Sequence, residues 1–255
     1  MIYYFSGTGN SREVAKRLAS STKDEAASIT NVKNIGGLNN EVVGFVFPIY
    51  AWGIPKVMKE FIQQFSIPTS PTYVYMVCTC GDDIGLTDRE MSALLTTKGM
   101  TLNAAWSVTM PNTYISLPGF DIDRPQLAIN KLQMALPRLN DIAQLIVKRQ
   151  KDIRDVHPGA FARIKSKVIR PLFNKLLTGD NHFKVSENCT HCGRCSKACP
   201  LQNITYDDRH LPIWNGNCTD CLACYHSCPQ HAISYGPFAK GKGQYLLLQY
   251  LKYLK

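Results

Sequence analysis

The chain has 255 residues, 45% of them hydrophobic, so it can bury one large core or two unequal ones. Its formal net charge of +10, from 29 Lys and Arg against 19 Asp and Glu, raises the question of a nucleic-acid partner. No run of about 18 apolar residues predicts a transmembrane segment, and the first residues do not resemble a secretory leader. We therefore expect a cytoplasmic protein with no transmembrane segment.

Residues 1–150 are predicted to alternate between strands and helices. Apolar runs typical of parallel strands covered on both faces lie at residues 1–5, 26–29, 41–47, 72–79 and 101–109. Helical patterns lie between or after them, at residues 11–20, 55–65, 87–99 and 124–150. This alternation predicts an open, doubly wound α/β fold with a five-stranded parallel sheet.

Two helix starts have the spacing of a capping box. Asn10 precedes Glu13 by three residues, and Thr87 precedes Glu90 by three, so we expect Asn10 and Thr87 to cap their helices. The crossover between the second and third strands, residues 30–41, is mostly polar. Any helix there is expected to be short or degenerate.

Residues 158–178 contain five basic residues and no acidic one. An apolar stripe recurs there at helical spacing: Phe161, Ile164, Val168, Leu172 and Leu176. We expect a basic linker helix whose apolar face packs on one of the domains. The alternative is a docking surface for an acidic partner or a membrane surface.

Eight of the ten cysteines form an internal repeat with an offset of 29 residues. Each copy reads C-x-x-C-x-x-C-x-x-x-C-P, starting at Cys189 and at Cys218. Structural zinc prefers four tetrahedral ligands, commonly in two separated pairs, and fits this spacing poorly. The repeat instead resembles the bacterial two-cluster ferredoxin motif, in which the fourth cysteine of each copy ligates the other [4Fe–4S] cluster.

That resemblance implies two sets of cluster ligands. One set is Cys189, Cys192, Cys195 and Cys228; the other is Cys199, Cys218, Cys221 and Cys224. Eight thiolates around two clusters lower the net charge of the protein. No recognition motif for DNA or RNA accompanies the basic residues, so we expect no nucleic-acid partner.

The turn after the first strand, SGTGNS, is suited to a phosphate at a helix N-terminus. A dinucleotide fingerprint starting at Gly7 would need glycine where Arg12 stands, and a Walker loop would need a lysine that the turn lacks. A hydroxyl-rich turn without lysine favours a monophosphate. The candidate residues are Ser6, Gly7, Thr8, Gly9, Asn10 and Ser11.

Two further loops follow the third and fourth strands, where open α/β sheets bind ligands. With the first turn they resemble the loops of flavodoxins, which hold the FMN phosphate and flank the flavin ring. The candidate residues are Pro48, Ile49, Tyr50, Ala51, Trp52, Gly53, Thr79, Cys80, Gly81, Asp82 and Asp83. Taken singly, each loop also fits a structural role, with Tyr50 and Trp52 as peripheral core and the two aspartates as helix caps.

Nearly the whole chain resembles flavodoxin–ferredoxin fusion proteins of anaerobic bacteria. The resemblance implies a flavodoxin-like FMN-binding domain at 1–150, a basic helical linker at 151–182 and a small α+β two-cluster ferredoxin domain at 183–240. Residues 110–120 are expected to form another loop at the flavin-facing edge. The amphipathic tail, residues 241–255, is expected to pack on the body of the protein.

The resemblance implies an electron-transfer iron–sulfur flavoprotein that relays single electrons between two [4Fe–4S] clusters and FMN, with a redox partner protein. One alternative is an FMN-dependent reductase of a small-molecule acceptor such as a quinone, and another is a redox sensor. No acid–base constellation predicts catalytic residues. Whether the protein is an enzyme or an electron carrier, and its oligomeric state, stay open at this point.

Overall fold

The apolar runs of the first half form a parallel sheet in the computed structural model, which describes residues 1–32, 41–65 and 73–254. The strands of this sheet are β1 (Ile2–Tyr4), β2 (Ala26–Ser28), β3 (Val42–Pro48), β4 (Tyr73–Cys80), β5 (Ala104–Thr109) and β6 (Ile153–Asp155). Their order is β2-β1-β3-β4-β5-β6, and all pairs are parallel. The first five strands therefore have the doubly wound order expected from the sequence.

The sheet of the described residues has six strands where five were expected. β6 pairs with β5 through Ile153 opposite Ala104, in a segment that the sequence assigned to the linker. The expected short crossover helix between β2 and β3 falls on residues 33–40, which lie outside the described residues. The main sheet thus extends a few residues beyond the predicted boundary at residue 150.

Helices cover both faces of the sheet, because their apolar residues recur on one side of each helix. They are α1 (Asn10–Thr22), α2 (Lys56–Gln64), α3 (Thr87–Thr96) and α4 (Pro125–Val147). One apolar core lies between the sheet and α1 and α4, and a second lies between the sheet and α2 and α3. Pro125 occupies the first turn of α4, and the helix continues through Pro137.

Both predicted capping boxes are wrong. The N-cap of α1 is Gly9 and that of α3 is Leu86, and neither makes a side-chain cap. Glu90, the expected partner of Thr87, instead accepts hydrogen bonds from distant parts of the chain. Glu90 therefore makes tertiary hydrogen bonds in place of the local capping bond that the sequence predicted.

The segment after β6 forms one irregular helix, which we call the linker helix. It consists of α5 (Ala162–Ile164), a π-helical turn (Lys165–Ile169) and α6 (Arg170–Leu176). In the π turn the Arg170 N–H donates to the Lys165 carbonyl, five residues back. Pro171, which has no N–H to donate, follows immediately.

The linker helix packs with the opposite face from the one expected. Its apolar stripe is exposed, which makes the expectation of a packed apolar face wrong. Its polar face contacts the main domain, where Ser166 accepts a hydrogen bond from the Leu86 N–H at 2.9 Å. A Cβ at Gly53 would overlap the Arg170 guanidinium, and one at Gly85 would overlap Ser166, so glycine permits this close approach.

The cysteine repeat forms a small α+β unit with two antiparallel strand pairs. Its elements are β7 (Phe183–Val185), α7 (Arg194–Ala198), β8 (Ile204–Tyr206), β9 (Pro212–Trp214), α8 (Ala223–Ser227) and β10 (Ile233–Tyr235). Corresponding positions of the two copies share rare backbone angles: φ is +72° at Gly193 and +55° at Leu222, and +56° at both His191 and Asp220. The repeat in the sequence is therefore also a repeat in the backbone.

The tail packs on the main domain, as expected. Leu247 and Leu254 are buried in the core beside α1 and α4, whereas Leu251 is exposed. Its last residues form 3₁₀ turns at Leu247–Gln249 and Leu251–Leu254. Within the described ranges, no helix is both long and apolar enough to cross a membrane.

Candidate functional site

The predicted phosphate turn lies between the carboxyl end of β1 and the N-terminus of α1. Gly9 has a φ of +111°, and its N–H donates to Ser6 Oγ at 3.2 Å. This left-handed position favours glycine, because a side chain there is strained. The turn presents Ser6, Gly7 and Thr8 to a cavity in front of it.

Two polar side chains of the turn hold it in place. Asn10 donates from Nδ2 to the Pro111 carbonyl at 3.0 Å and accepts from the Tyr245 hydroxyl at 2.9 Å. The Ser11 hydroxyl is hydrogen-bonded to that of Thr79 at 2.8 Å. Asn10 and Ser11 therefore fix the turn to two other loops and to the tail.

The aromatic loop after β3 is a tight turn with a strained backbone. Tyr50 and Gly53 exchange two backbone hydrogen bonds of 3.1 Å, and the residues between them, Ala51 and Trp52, have φ values of +45° and +59°. Two consecutive non-glycine residues in this region cost conformational energy, which is common where a loop supports a binding site. The Lys165 ammonium lies 5.5 Å from the centre of the Trp52 ring.

The third predicted loop, residues 79–83, is held by two lysines. Lys131 Nζ donates to the Gly81 carbonyl at 3.0 Å and forms an ion pair with Asp123. Asp83 Oδ2 is paired with Lys165 of the linker helix. Burial raises the pKa of Cys80 to about 12, with the charges of nearby aspartates adding to the effect, so this thiol is protonated at neutral pH.

The three loops line one cavity of about 790 Å³, a size typical of cofactor sites. Every residue predicted for the flavin loops lines it except Gly9 and Gly53. Leu247 packs against Gly9, and Arg170 packs against Gly53. The structure therefore brings together what the sequence placed on separate loops.

The cavity is also lined by residues outside the three predicted loops. They include Asn112, Tyr114, Phe120, Lys165, Arg170, Phe173, Thr219 and Asp220. Residues 110–120 were expected at this edge without assigned roles, and the position of the linker helix over the cavity was missed.

The buried polar atoms of this cavity that lack a hydrogen-bond partner in the described part of the chain include Oδ1 of Asp83 and Oγ1 of Thr219. A buried polar group without a hydrogen bond is costly, so such atoms indicate a polar ligand. FMN, which has a phosphate, ribityl hydroxyls and polar ring edges, fits a cavity with a hydroxyl-rich turn and buried polar atoms of this kind.

The eight repeat cysteines divide between two small cavities. One is lined by Cys189, Cys192, Cys195 and Cys228, and the other by Cys199, Cys218, Cys221 and Cys224. Over residues 1–32, 41–65 and 73–254, no three His, Cys, Asp or Glu side chains converge closely enough to hold a single metal ion. Each cysteine set surrounds a cavity instead.

Backbone N–H groups point at the cysteine sulfurs in equivalent positions of the two copies. The Asn203 N–H donates to Cys199 Sγ at 3.3 Å, and the Ala232 N–H donates to Cys228 Sγ at 3.3 Å. Hydrogen bonds of this kind tune the potential of a bound cluster. Burial raises the pKa of Cys221 to about 12, so iron must displace a proton there on binding.

The second cysteine cavity borders the flavin loops directly. A Cβ at Gly7 would lie 2.8 Å from both the Cβ and the carbonyl oxygen of Cys221. Cys218 and Cys221 line both this cavity and the large one, whereas the cavity around Cys189 shares no residue with the large one. Burial, followed by the charges of Cys221 and Asp220, raises the pKa of Tyr50.

A buried histidine joins the cysteine unit to the main domain and the tail. His226 Nε2 lies 2.9 Å from the Thr113 carbonyl, and Nδ1 accepts from the Tyr245 N–H at 3.2 Å. Nε2 therefore carries the proton and donates it. Burial lowers the pKa of His226 to about 4, so the ring is neutral at physiological pH.

Comparisons with known proteins agree with this arrangement. The flavodoxin domain family matches residues 1–113, and the 4Fe-4S dicluster domain family matches residues 182–240. The chain is a flavodoxin–ferredoxin fusion. No curated protein matches it. The fusion is an iron–sulfur flavoprotein of electron transfer, and its two domains imply a redox partner.

Solved structures resemble parts of the fusion at low identity. Trp repressor binding protein from Bacillus subtilis is 17% identical, with a TM-score of 0.39, over 55% of this chain and 96% of its own. Rubredoxin oxygen:oxidoreductase from the anaerobe Desulfovibrio gigas is 14% identical, with a TM-score of 0.36. That match covers 66% of this chain and 36% of the other.

Proposed function

We propose that the fusion relays single electrons between two [4Fe–4S] clusters and one FMN, in the cytoplasm, with a partner protein at one end. The observation that carries the proposal is the contact of the phosphate turn with Cys221. A flavin exchanges one or two electrons and a cluster exchanges one, so a cluster beside a flavin supplies or removes electrons singly. The predicted FMN-loop residues and the eight cysteines are the proposed binding residues.

The cavities support an order for the relay. A cluster on Cys199, Cys218, Cys221 and Cys224 lies next to the flavin cavity and is the proximal one. A cluster on Cys189, Cys192, Cys195 and Cys228 is the distal one, and Cys192 is exposed there. The partner protein is therefore expected to exchange electrons at the distal cluster.

Metal and flavin analysis of the anaerobically purified protein tests the composition. The proposal expects about eight irons and one FMN per chain, as two [4Fe–4S] clusters require. Stoichiometric zinc without flavin would contradict it.

Phosphorus NMR tests the order. In the reduced protein a paramagnetic cluster broadens the FMN phosphate resonance, and the effect falls steeply with distance. Cys199→Ala should narrow the resonance strongly, and Cys228→Ala should narrow it less. The reverse result would place the other cluster beside the flavin.

A reductase of a small-molecule acceptor is the second candidate. The cavity continues beyond the flavin loops, under the linker helix, to Phe120, Phe173 and Asn174. An apolar wall beside the flavin site suits an aromatic acceptor such as a quinone. Steady reduction of a soluble quinone would favour this function over a carrier, provided that changes at Phe173 raise the Km for the quinone and leave the flavin content unchanged.

A further inference from the structure

The linker helix is fixed to the main domain by its charged side chains. Lys165 is paired with Asp83, and Arg170 is paired with Glu90 and also donates to the Ile54 carbonyl at 2.9 Å. The side chains of Arg170 and Glu90 are only 13% and 21% exposed. These contacts hold the helix firmly with one face turned inward.

The opposite face of the helix is apolar and open to solvent. Phe161 is 73% exposed, Val168 is 62% exposed and Leu172 is 58% exposed. The exposed apolar residues of this face are Phe161, Ile164, Val168, Ile169, Leu172 and Leu176. Large aliphatic side chains rarely form a continuous exposed stripe unless something covers them.

Three exposed cations lie along the same helix: Arg163, Lys167 and Lys175. The described residues provide no ion-pair partner for any of them. Lys165 and Arg170 are neutralised by the main domain, so these three carry the net charge of the outer surface. Residues 158–178 themselves contain no acidic residue, so the helix brings only positive charge to this surface.

We propose that the linker helix binds the surface of an anionic lipid bilayer, with its apolar stripe in the acyl boundary and its cations among the headgroups. An amphipathic helix with apolar residues and Lys or Arg binds membranes in this way. A second copy would set three cations against three of like sign. A protein interface normally includes hydrogen-bonding side chains, and this stripe has no hydrogen-bonding group.

Bound in this way, the helix separates the bilayer from the large cavity by about 10 Å, the diameter of one helix with its side chains. Phe173 lies on the inner side of that helix and lines the cavity. The bilayer would thus lie beside one end of the electron relay. The membrane contact itself depends only on the outer face.

Vesicle flotation of the anaerobically purified holoprotein tests the proposal. We expect binding to vesicles of equal parts phosphatidylcholine and phosphatidylglycerol, weak binding to phosphatidylcholine alone, and weakening by salt. The double variant Lys167→Gln, Lys175→Gln should bind the anionic vesicles about 25-fold more weakly, since each cation near the surface contributes about fivefold. Ile164→Glu combined with Leu172→Glu should abolish binding.

Met134→Glu is the matched control, because Met134 is 73% exposed on α4, outside the stripe. It should bind as the parent does. The replaced side chains are all exposed, and unchanged iron and flavin contents would show that each variant is folded. Absence of vesicle binding, binding that survives the Ile164→Glu, Leu172→Glu change, or a solution dimer dissolved by that change would each overturn the proposal.

Discussion

Replacing Arg170 by methionine should loosen the linker helix without unfolding the main domain. The substitution removes the ion pair with Glu90 and the 2.9 Å hydrogen bond to the Ile54 carbonyl, and keeps an apolar stem. Glu90 retains Lys59 and the Ile54 N–H, so no buried charge is left alone. The expected loss is therefore about 2 kcal/mol, near the value of one hydrogen bond to a charged group, and less than that of breaking an isolated buried pair.

Amide hydrogen exchange measures this loss directly, because a local opening free energy sets the protection of each helical amide. A loss of about 2 kcal/mol corresponds to roughly 30-fold faster exchange over residues 162–176. Lys167→Met is the control, since Lys167 is exposed on the same helix, and β3 should exchange as before in both variants. Exchange of the helix within threefold of the parent would refute the assigned role of the Arg170 contacts.

Two other changes test contacts of the flavin site, and a third tests the assignment of the cluster ligands. Gly7→Val places a side chain against Cys221, so flavin affinity should fall about tenfold or more while iron content is kept, as flavin and iron assays would show. Tyr245→Phe removes the 2.9 Å hydrogen bond to Asn10 and should weaken FMN binding about fivefold in a fluorescence titration of the flavin-free protein. Cys78→Ser lies outside both cysteine cavities, so its iron content should equal that of the parent; a lower value would contradict the ligand assignment.

The alternation of apolar runs was enough to predict the sheet, because strands buried on both faces have a strong sequence pattern. β6 was missed because it has three residues, two of them exposed, and joins the sheet mainly through its backbone. The prediction of the capping boxes was wrong because Asn10 and Glu90 form hydrogen bonds with Pro111 and Arg170, 101 and 80 residues away in the sequence. Local spacing carries no information about such partners.

The linker helix shows a different limit of sequence reasoning. An apolar stripe normally predicts the buried face of a helix. Here the main domain offers the carboxylates of Asp83 and Glu90 and two glycines at the contact, so the polar face fits and the apolar face does not. For the same reason the sequence did not predict that Lys165, Arg170 and Phe173 line the cavity, because the apolar stripe predicts that the other face of the helix packs inward.

The contact between the tail and the phosphate turn has a consequence for the order in which the cofactors are loaded. The Leu247 N–H donates to the Thr8 carbonyl at 3.1 Å, and the Tyr245 N–H beside it is held by His226 of α8. Contacts between residues so distant in sequence carry a large loop-closure cost in entropy. Before iron binds to the cysteine unit, α8 lacks the cluster that would hold Cys224 in place. The tail, which is hydrogen-bonded to His226 of α8, would then be poorly anchored too. We expect a chain without iron to lose its flavin, so that flavin retention during biogenesis reports completed cluster insertion.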